Sequence, residues 1–140
     1  MPKKADFYLL NTATPEAVNQ FVCRLAEKAV RLGNHIYIAC RNQEQLQFLD
    51  DLLYEFKPDS FLPHALVEES DGKAPIELGS GIHPHQPPAV VVNLSPVVYT
   101  ETSRVIEIVP NASAEKHIAR NKFREYKEVG FEMKTHSLEL

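Results

Sequence analysis

IYIACRNQEQLQFLDDLLYEFKP, residues 36–58, carries the alternation of a buried strand and an amphipathic helix. Ile36 to Cys40 (IYIAC) are apolar without alternation, the composition of a strand buried on both faces. Arg41-Asn42 turns the chain. Leu46, Leu49, Leu53 and Phe56 then recur at the spacing that sets one stripe of a helix inward, and Pro58 enforces the helix end. On the N-terminal side the same order is met once more. Asp6 to Leu10 (DFYLL) is a short apolar run closed by Asn11-Thr12-Ala13. Thr14 offers an N-cap, Pro15 suits the first helical position and Glu16 complements the helix dipole. Val18, Phe21, Val22, Leu25, Ala29 and Leu32 keep helical spacing until Gly33, which can take a left-handed stop. Strand, helix, strand, helix implies parallel pairing through right-handed crossovers. The expectation is a single α/β domain over residues 1–140, a three-layer α/β/α, mostly parallel doubly wound sheet.

Towards the C-terminus, Asp59 to Leu66 (DSFLPHAL) reads as an extended connection with an exposed Phe61, Ala74 to Leu78 (APIEL) as a short strand, and Gly79 to Pro88 as a loop by composition. Ala89 to Leu94 (AVVVNL) is β-branched on both faces, as a central strand requires. Arg104 to Val109 (RVIEIV) is a further strand. Pro110-Asn111 leads to Ser113, the expected N-cap of a last helix that Gly130 ends. Phe131 to Thr135 (FEMKT) is left as an edge strand, free to be antiparallel.

The chain of 140 residues with 44% apolar content is long enough for one sizeable core. A formal charge of −4 supplies no global field towards nucleic acid or an acidic membrane, so anion binding must be local. The opening MPKKADFYLL has no long apolar h-region, and no run reaches the length of a membrane span. The expected place is the cytoplasm, with no membrane partner. Cys23 and Cys40 fall inside predicted elements and are expected as buried thiols in a reducing compartment.

Phosphate-binding turns are missing. The first strand runs into a glycine-free turn, neither GxGxxG nor GxxxxGK[ST] occurs, and the glycines stand elsewhere, at 33, 72, 79, 81 and 130. No G-x-S-x-G elbow is present either. His83 and His85 in HPH, with His64, lack the ligand number and spacing of a metal tract, and Ser, His and Asp stand in no triad context. No cofactor or metal is expected. An enzyme of this class would instead place a polar pocket at the strand carboxyl ends, near Asn11, Arg41 or Asn93.

Lys116 to Phe131, KHIARNKFREYKEVGF, remains. At about 100° per residue, Lys116, Arg120, Phe123 and Lys127 fall within about 60° of one another, with Arg124 beside them. Ile118, Ala119, Tyr126 and Val129 occupy a different arc, expected to face the core. Two readings stay open: a solvated outer face with Phe123 closing the core edge, or a pocket for an anionic partner that also carries an apolar group. Direct DNA binding by this helix is weakened by Glu115, Glu125 and Glu128, which interrupt the positive field.

The opening FYLL, the IAC strand with its polar turn and LDD-containing helix, SFLPH, the API(E) stretch, NLS after a Val-rich strand and the terminal AR..FREYKEVGF together resemble the chi subunit family of bacterial DNA polymerase III. The resemblance runs in order over nearly the whole chain. It implies a non-catalytic accessory subunit of the clamp-loader assembly that binds the psi subunit. On another surface, it implies binding of the acidic C-terminal tail of single-stranded DNA-binding protein, which ends in an aromatic residue with a free carboxylate. Contact with DNA would then be mainly indirect. Carried over position by position, the resemblance places tail binding at Val109, Lys116, Arg120 and Phe123, with Arg124 and Tyr54 nearby. Phe123 stands where other members are associated with Tyr, and Tyr54 where they are associated with Trp, so a hydroxyl contact at 123 is lost while ring packing survives. Phe61 of the SFLPH segment is implied in the surface for psi, or for another protein taking its place.

Overall fold

The structure is a computed structural model that describes residues 2–55, 63–81, 84 and 88–140. Strand β1 (Lys4–Leu10) feeds α1 (Pro15–Arg31), then β2 (Ile36–Ala39) feeds α2 (Gln43–Glu55). A short β3 (His64–Leu66) and a 3-10 turn precede β4 (Ile76–Gly79), β5 (Val90–Asn93) and β6 (Arg104–Val109). The chain closes with α3 (Ser113–Glu128) and β7 (Glu132–Leu138). On α2 the expected stripe is buried at Leu46, Leu49 and Leu53; on α1 it is shifted, Cys23 and Ala26 joining Val18 and Val22 inside while Phe21, Leu25 and Ala29 are half-buried. Gly33 and Gly130 take positive φ where α1 and α3 stop. Phe56, Pro58 and Phe61 lie outside the described residues.

The seven strands form one sheet in the order β3-β4-β2-β5-β6-β1-β7, and every pairing is parallel. Two expectations change here. The DSFLPHAL connection contributes a three-residue edge strand, too short and too weakly β-branched to be read from HAL alone. The last strand is longer than FEMKT and parallel, not antiparallel. Its direction follows from α3: a chain that leaves β6, reverses along one helix and re-enters the sheet outside β1 must run the same way as before.

Alternation along the strands sorts the side chains into two layers. Ile36, Ile38, Ile76, Val92 and Ile106 meet α1 and α2 on one face. Ala5, Phe7, Val105 and Val109 meet Tyr126 and Phe131 on the other, under α3. Beside α3, where among the described residues no α-helix covers β2 and β5, Tyr37, Ala39 and Val91 pack with Val67 and Tyr99 from the connecting segments. Gly79 lies so close to this group that a Cβ there would overlap the Tyr37 hydroxyl. Both cysteines are free and buried, and burial pushes each thiol up to about 12. They are structural thiols, as their positions foretold.

Candidate functional site

The helix α3 is entered from Pro110 and Asn111, with Ala112 extended at the N-cap position. Ser113 is therefore the first helical residue and not the cap; no side chain caps this end. Glu115 in the first turn complements the exposed N–H groups and pairs with Arg41, which arrives from the end of β2. Lys116, Arg120, Arg124 and Lys127 are exposed along the outer arc. Among the described residues, none of the four has an acidic partner. Phe123 is half-buried at the boundary between this arc and the core, its ring 5.4 Å from that of Phe7. Arg120 and Phe123 are three residues apart, and Lys116, Arg120 and Arg124 are spaced by four, so they are surface neighbours about 5–6 Å apart at Cβ. A cationic strip thus runs beside an aromatic edge.

The inner arc differs from the expected one. Of Ile118, Ala119, Tyr126 and Val129, only Tyr126 is fully buried; Ile118 and Ala119 are half-buried and Val129 is exposed. Lys122 takes the inward place, 6% exposed. The cause lies in β6, which presents Glu107 to this face. Lys122 Nζ lies 2.8 Å from Glu107 Oε1 and donates to the Ser95 carbonyl at 2.5 Å. The Tyr126 hydroxyl donates to Glu107 Oε2 at 2.6 Å, and Asn93 Nδ2 donates to the same oxygen at 2.8 Å. Tyr126 oxygen in turn accepts from Tyr99 N–H at 3.1 Å, and Asn93 Oδ1 accepts from the Ser95 hydroxyl at 2.7 Å. Burial pushes the Glu107 carboxyl above its ordinary value, while the Lys122 ammonium pulls it down. The Tyr126 hydroxyl is raised by burial and by Glu107. A glutamate inside the otherwise apolar RVIEIV was the available signal, since a buried carboxylate needs a partner and α3 is the next element.

The residues named from sequence divide four ways. Lys116, Arg120, Phe123 and Arg124 share the α3 surface. Val109 is 3% exposed and belongs to the apolar cluster on which Phe123 packs, so it is floor and not surface. Tyr54 is set apart: it stands on α2, across the sheet from α3, exposed and with its ring 4.6 Å from that of His64. Phe61 lies outside the described residues.

The positions suited to an enzyme are occupied from within. Arg41 pairs with Glu115, Asn93 belongs to the Glu107 network, and Asn11 Oδ1 accepts from Leu140 N–H at 3.0 Å. A cavity of about 520 Å³ lies on the α3 side between the segments around Pro84, Pro88 and Tyr99. Its described lining holds one carboxylate, Glu101, and otherwise Val, Pro, Thr, Tyr and Gly, which gives no converging acid-base set. His64 is engaged with Asp50 at 3.0 Å, and His83 and His85 lie outside the described residues. No helix among the described residues is long and apolar enough to cross a membrane.

The chain matches the family model described as DNA polymerase III chi subunit, HolC, over residues 1–134. It is 40% identical over 138 residues to the DNA polymerase III subunit chi of Pseudomonas aeruginosa, covering 96% of both chains. With the DNA polymerase III subunit chi of Escherichia coli it shares 31% identity over 145 residues, covering 95% of this chain and 97% of that one. Among solved structures, a chain in the crystal structure of T4 UvsW is similar at a TM-score of 0.67 and 11% identity. That likeness covers 98% of this chain but 41% of the other, and it speaks for the fold alone.

Proposed function

Because the chain belongs to the DNA polymerase III chi subunit family, we propose that its α3 surface receives the acidic, aromatic-ended C-terminal tail of single-stranded DNA-binding protein. The protein is a replication accessory subunit; in this reading it couples the clamp-loader assembly in the cytoplasm to protein-coated single strands, with DNA contacted indirectly. The observation that carries the proposal is the cationic strip Lys116, Arg120, Arg124 and Lys127, without acidic partners among the described residues, running beside the half-buried Phe123. A C-terminal Phe carries its carboxylate and its ring on one residue, so its receptor needs a planar cation next to an apolar edge. Arg120 and Phe123, three apart on one helix, meet that need: the guanidinium clamps the two oxygens and the incoming ring packs on Phe123. Lys116 and Arg124 attract the Asp side chains more loosely. Tyr54 is left out of this site because the sheet stands between it and α3.

A second surface, at Phe61, takes psi or another protein at the same place. Tyr54 and His64 flank Phe61 in the chain; the Tyr54 ring is exposed and lies 4.6 Å from the ring of His64, whose side chain is buried. Phe61→Ala should leave tail binding unchanged and weaken the psi contact, measured by titrating each partner separately. Simultaneous loss of both in a folded variant would mean the two surfaces are one.

Peptide binding across a salt series tests the tail site. Affinity should fall with salt without vanishing, because the Asp charges are screened and the ring is not. Removing the terminal Phe should cost about 1.5–3 kcal/mol at every salt concentration through lost apolar burial. A truncated peptide that binds as well as the intact one would reduce the site to a basic patch. An oligonucleotide bound in preference to both peptides would favour direct DNA contact.

A further inference from the structure

We infer that the buried Glu107 and Lys122 pair positions the α3 surface: it fixes the rotation of the helix about its own axis and hence the place of Arg120 beside Phe123. The inference rests on the reading of that surface as a tail site. Only Lys122 and Tyr126 are fully buried on α3, and both end on one carboxylate, Lys122 on Oε1 and Tyr126 on Oε2. The same carboxylate is held from β5 by Asn93, and Lys122 is held by the Ser95 carbonyl. The buried stripe of α1 is mainly apolar, with Val18, Val22, Cys23 and Ala26 flanked by Asn19 and Glu27. Apolar contact is non-directional and tolerates small rotations, whereas hydrogen bonds weaken steeply as they bend. An α3 seated mainly on apolar contacts could turn; an α3 seated on two anchors one helical turn apart cannot.

The size of the effect follows from helix geometry. Side-chain tips lie roughly 5–6 Å or more from the axis, so a turn of about 20° moves them by about 2 Å. That distance separates a bidentate guanidinium-carboxylate clamp from a single loose contact. Glu107 and Lys122 therefore act on the tail through Arg120 and Phe123 without touching it. They are positioning residues.

The test is the double variant Glu107→Leu/Lys122→Met. Replacing both partners of a buried ion pair by apolar groups of similar volume is often neutral or stabilising, which separates positioning from stability. Tyr126 oxygen keeps the Tyr99 N–H and Asn93 keeps the Val97 carbonyl, so much of the network retains partners. The double variant should keep its helix content and a thermal midpoint near that of the parent, yet bind an intact tail peptide about tenfold more weakly. Residual dipolar couplings should show α3 rotated or broadened. Parental affinity together with an unrotated α3 would overturn the inference. Should the parent protein itself ignore the peptide, the tail reading fails, while the couplings still decide whether the pair sets the rotation. Should that double variant not fold, Glu107→Gln/Lys122→Met, which strands no charge and keeps a polar partner for Tyr126 and Asn93, decides by the same two measurements.

Discussion

Arg120→Ala should remove most of the affinity for an intact tail peptide, a loss of about 2 kcal/mol or more, while the protein remains folded. Arg120 lies on the exposed arc of α3 and has no acidic partner among the described residues, so its removal leaves no orphaned charge within the protein. The side chain is exposed, and alanine is the stronger helix former, so stability should move by no more than a few tenths of a kcal/mol. The cost therefore falls on the complex. A terminal carboxylate docked beside Phe123 is partly shielded from water and loses both of its donors at once. Lys116→Ala removes a longer-range attraction and serves as the control: it should lower affinity less and flatten the salt dependence. Calorimetry decides, and an Arg120→Ala variant with parental affinity would remove Arg120 from the site.

Lys122→Met is the counterpart, with its effect on stability. Taking one partner from a buried ion pair leaves the other uncompensated, a loss of about 3–5 kcal/mol, large against the 5–15 kcal/mol that typically holds a domain together. Urea unfolding followed by far-ultraviolet circular dichroism measures it. The pH dependence identifies the cause. Burial already holds the Glu107 carboxyl above its ordinary value, and Lys122 is the strongest influence in the other direction. Without the ammonium, the folded-state value rises further. A carboxyl raised on folding binds its proton more tightly in the folded state, so the stability it allows is complete below the unfolded carboxylate value and is lost as pH rises through the folded one. The deficit of Lys122→Met should accordingly be smaller at about pH 4 than at about pH 8. A deficit independent of pH would mean that no charged Glu107 is left stranded.

How far the chain could be read follows from what each residue signals by itself. The strands DFYLL, IYIAC, AVVVNL and RVIEIV were legible because burial on both faces demands unbroken apolar runs. α1 and α2 were legible because an apolar stripe leaves its period in the sequence. Leu32 shows the limit of that rule: it keeps the spacing but sits at the C-cap and is 71% exposed, since a helix's last residue no longer faces what the stripe faces. β3 and the parallel sense of β7 are products of connectivity, which periodicity does not record. On α3 the outer strip was visible as charge at helical spacing, while Lys122 was not, because a lysine reads as surface until the glutamate opposite it is known. Tyr54 was placed with α3 through resemblance and separated from it by the sheet, a relation set by the layer order and not by any local pattern.

The position of β1 has a consequence for how the chain is made. β1 is synthesised before either of its sheet partners: among the described residues it is hydrogen-bonded to β6 from Arg104 onward and to β7 from Glu132 onward, and to no other strand. Its sheet partners thus begin about 100 residues later, a wait of roughly 5–20 s at ordinary rates of synthesis. During that interval DFYLL has neither edge satisfied, and the pairing that finally closes it spans nearly the whole chain, the kind of long-range contact that makes folding slow. Synthesis that stops before α3 and β7 yields a chain whose N-terminal strand lacks one of its two neighbours. The stretch from α3 to β7, which carries the proposed docking helix, is thus also the clasp that turns β1 into an interior strand.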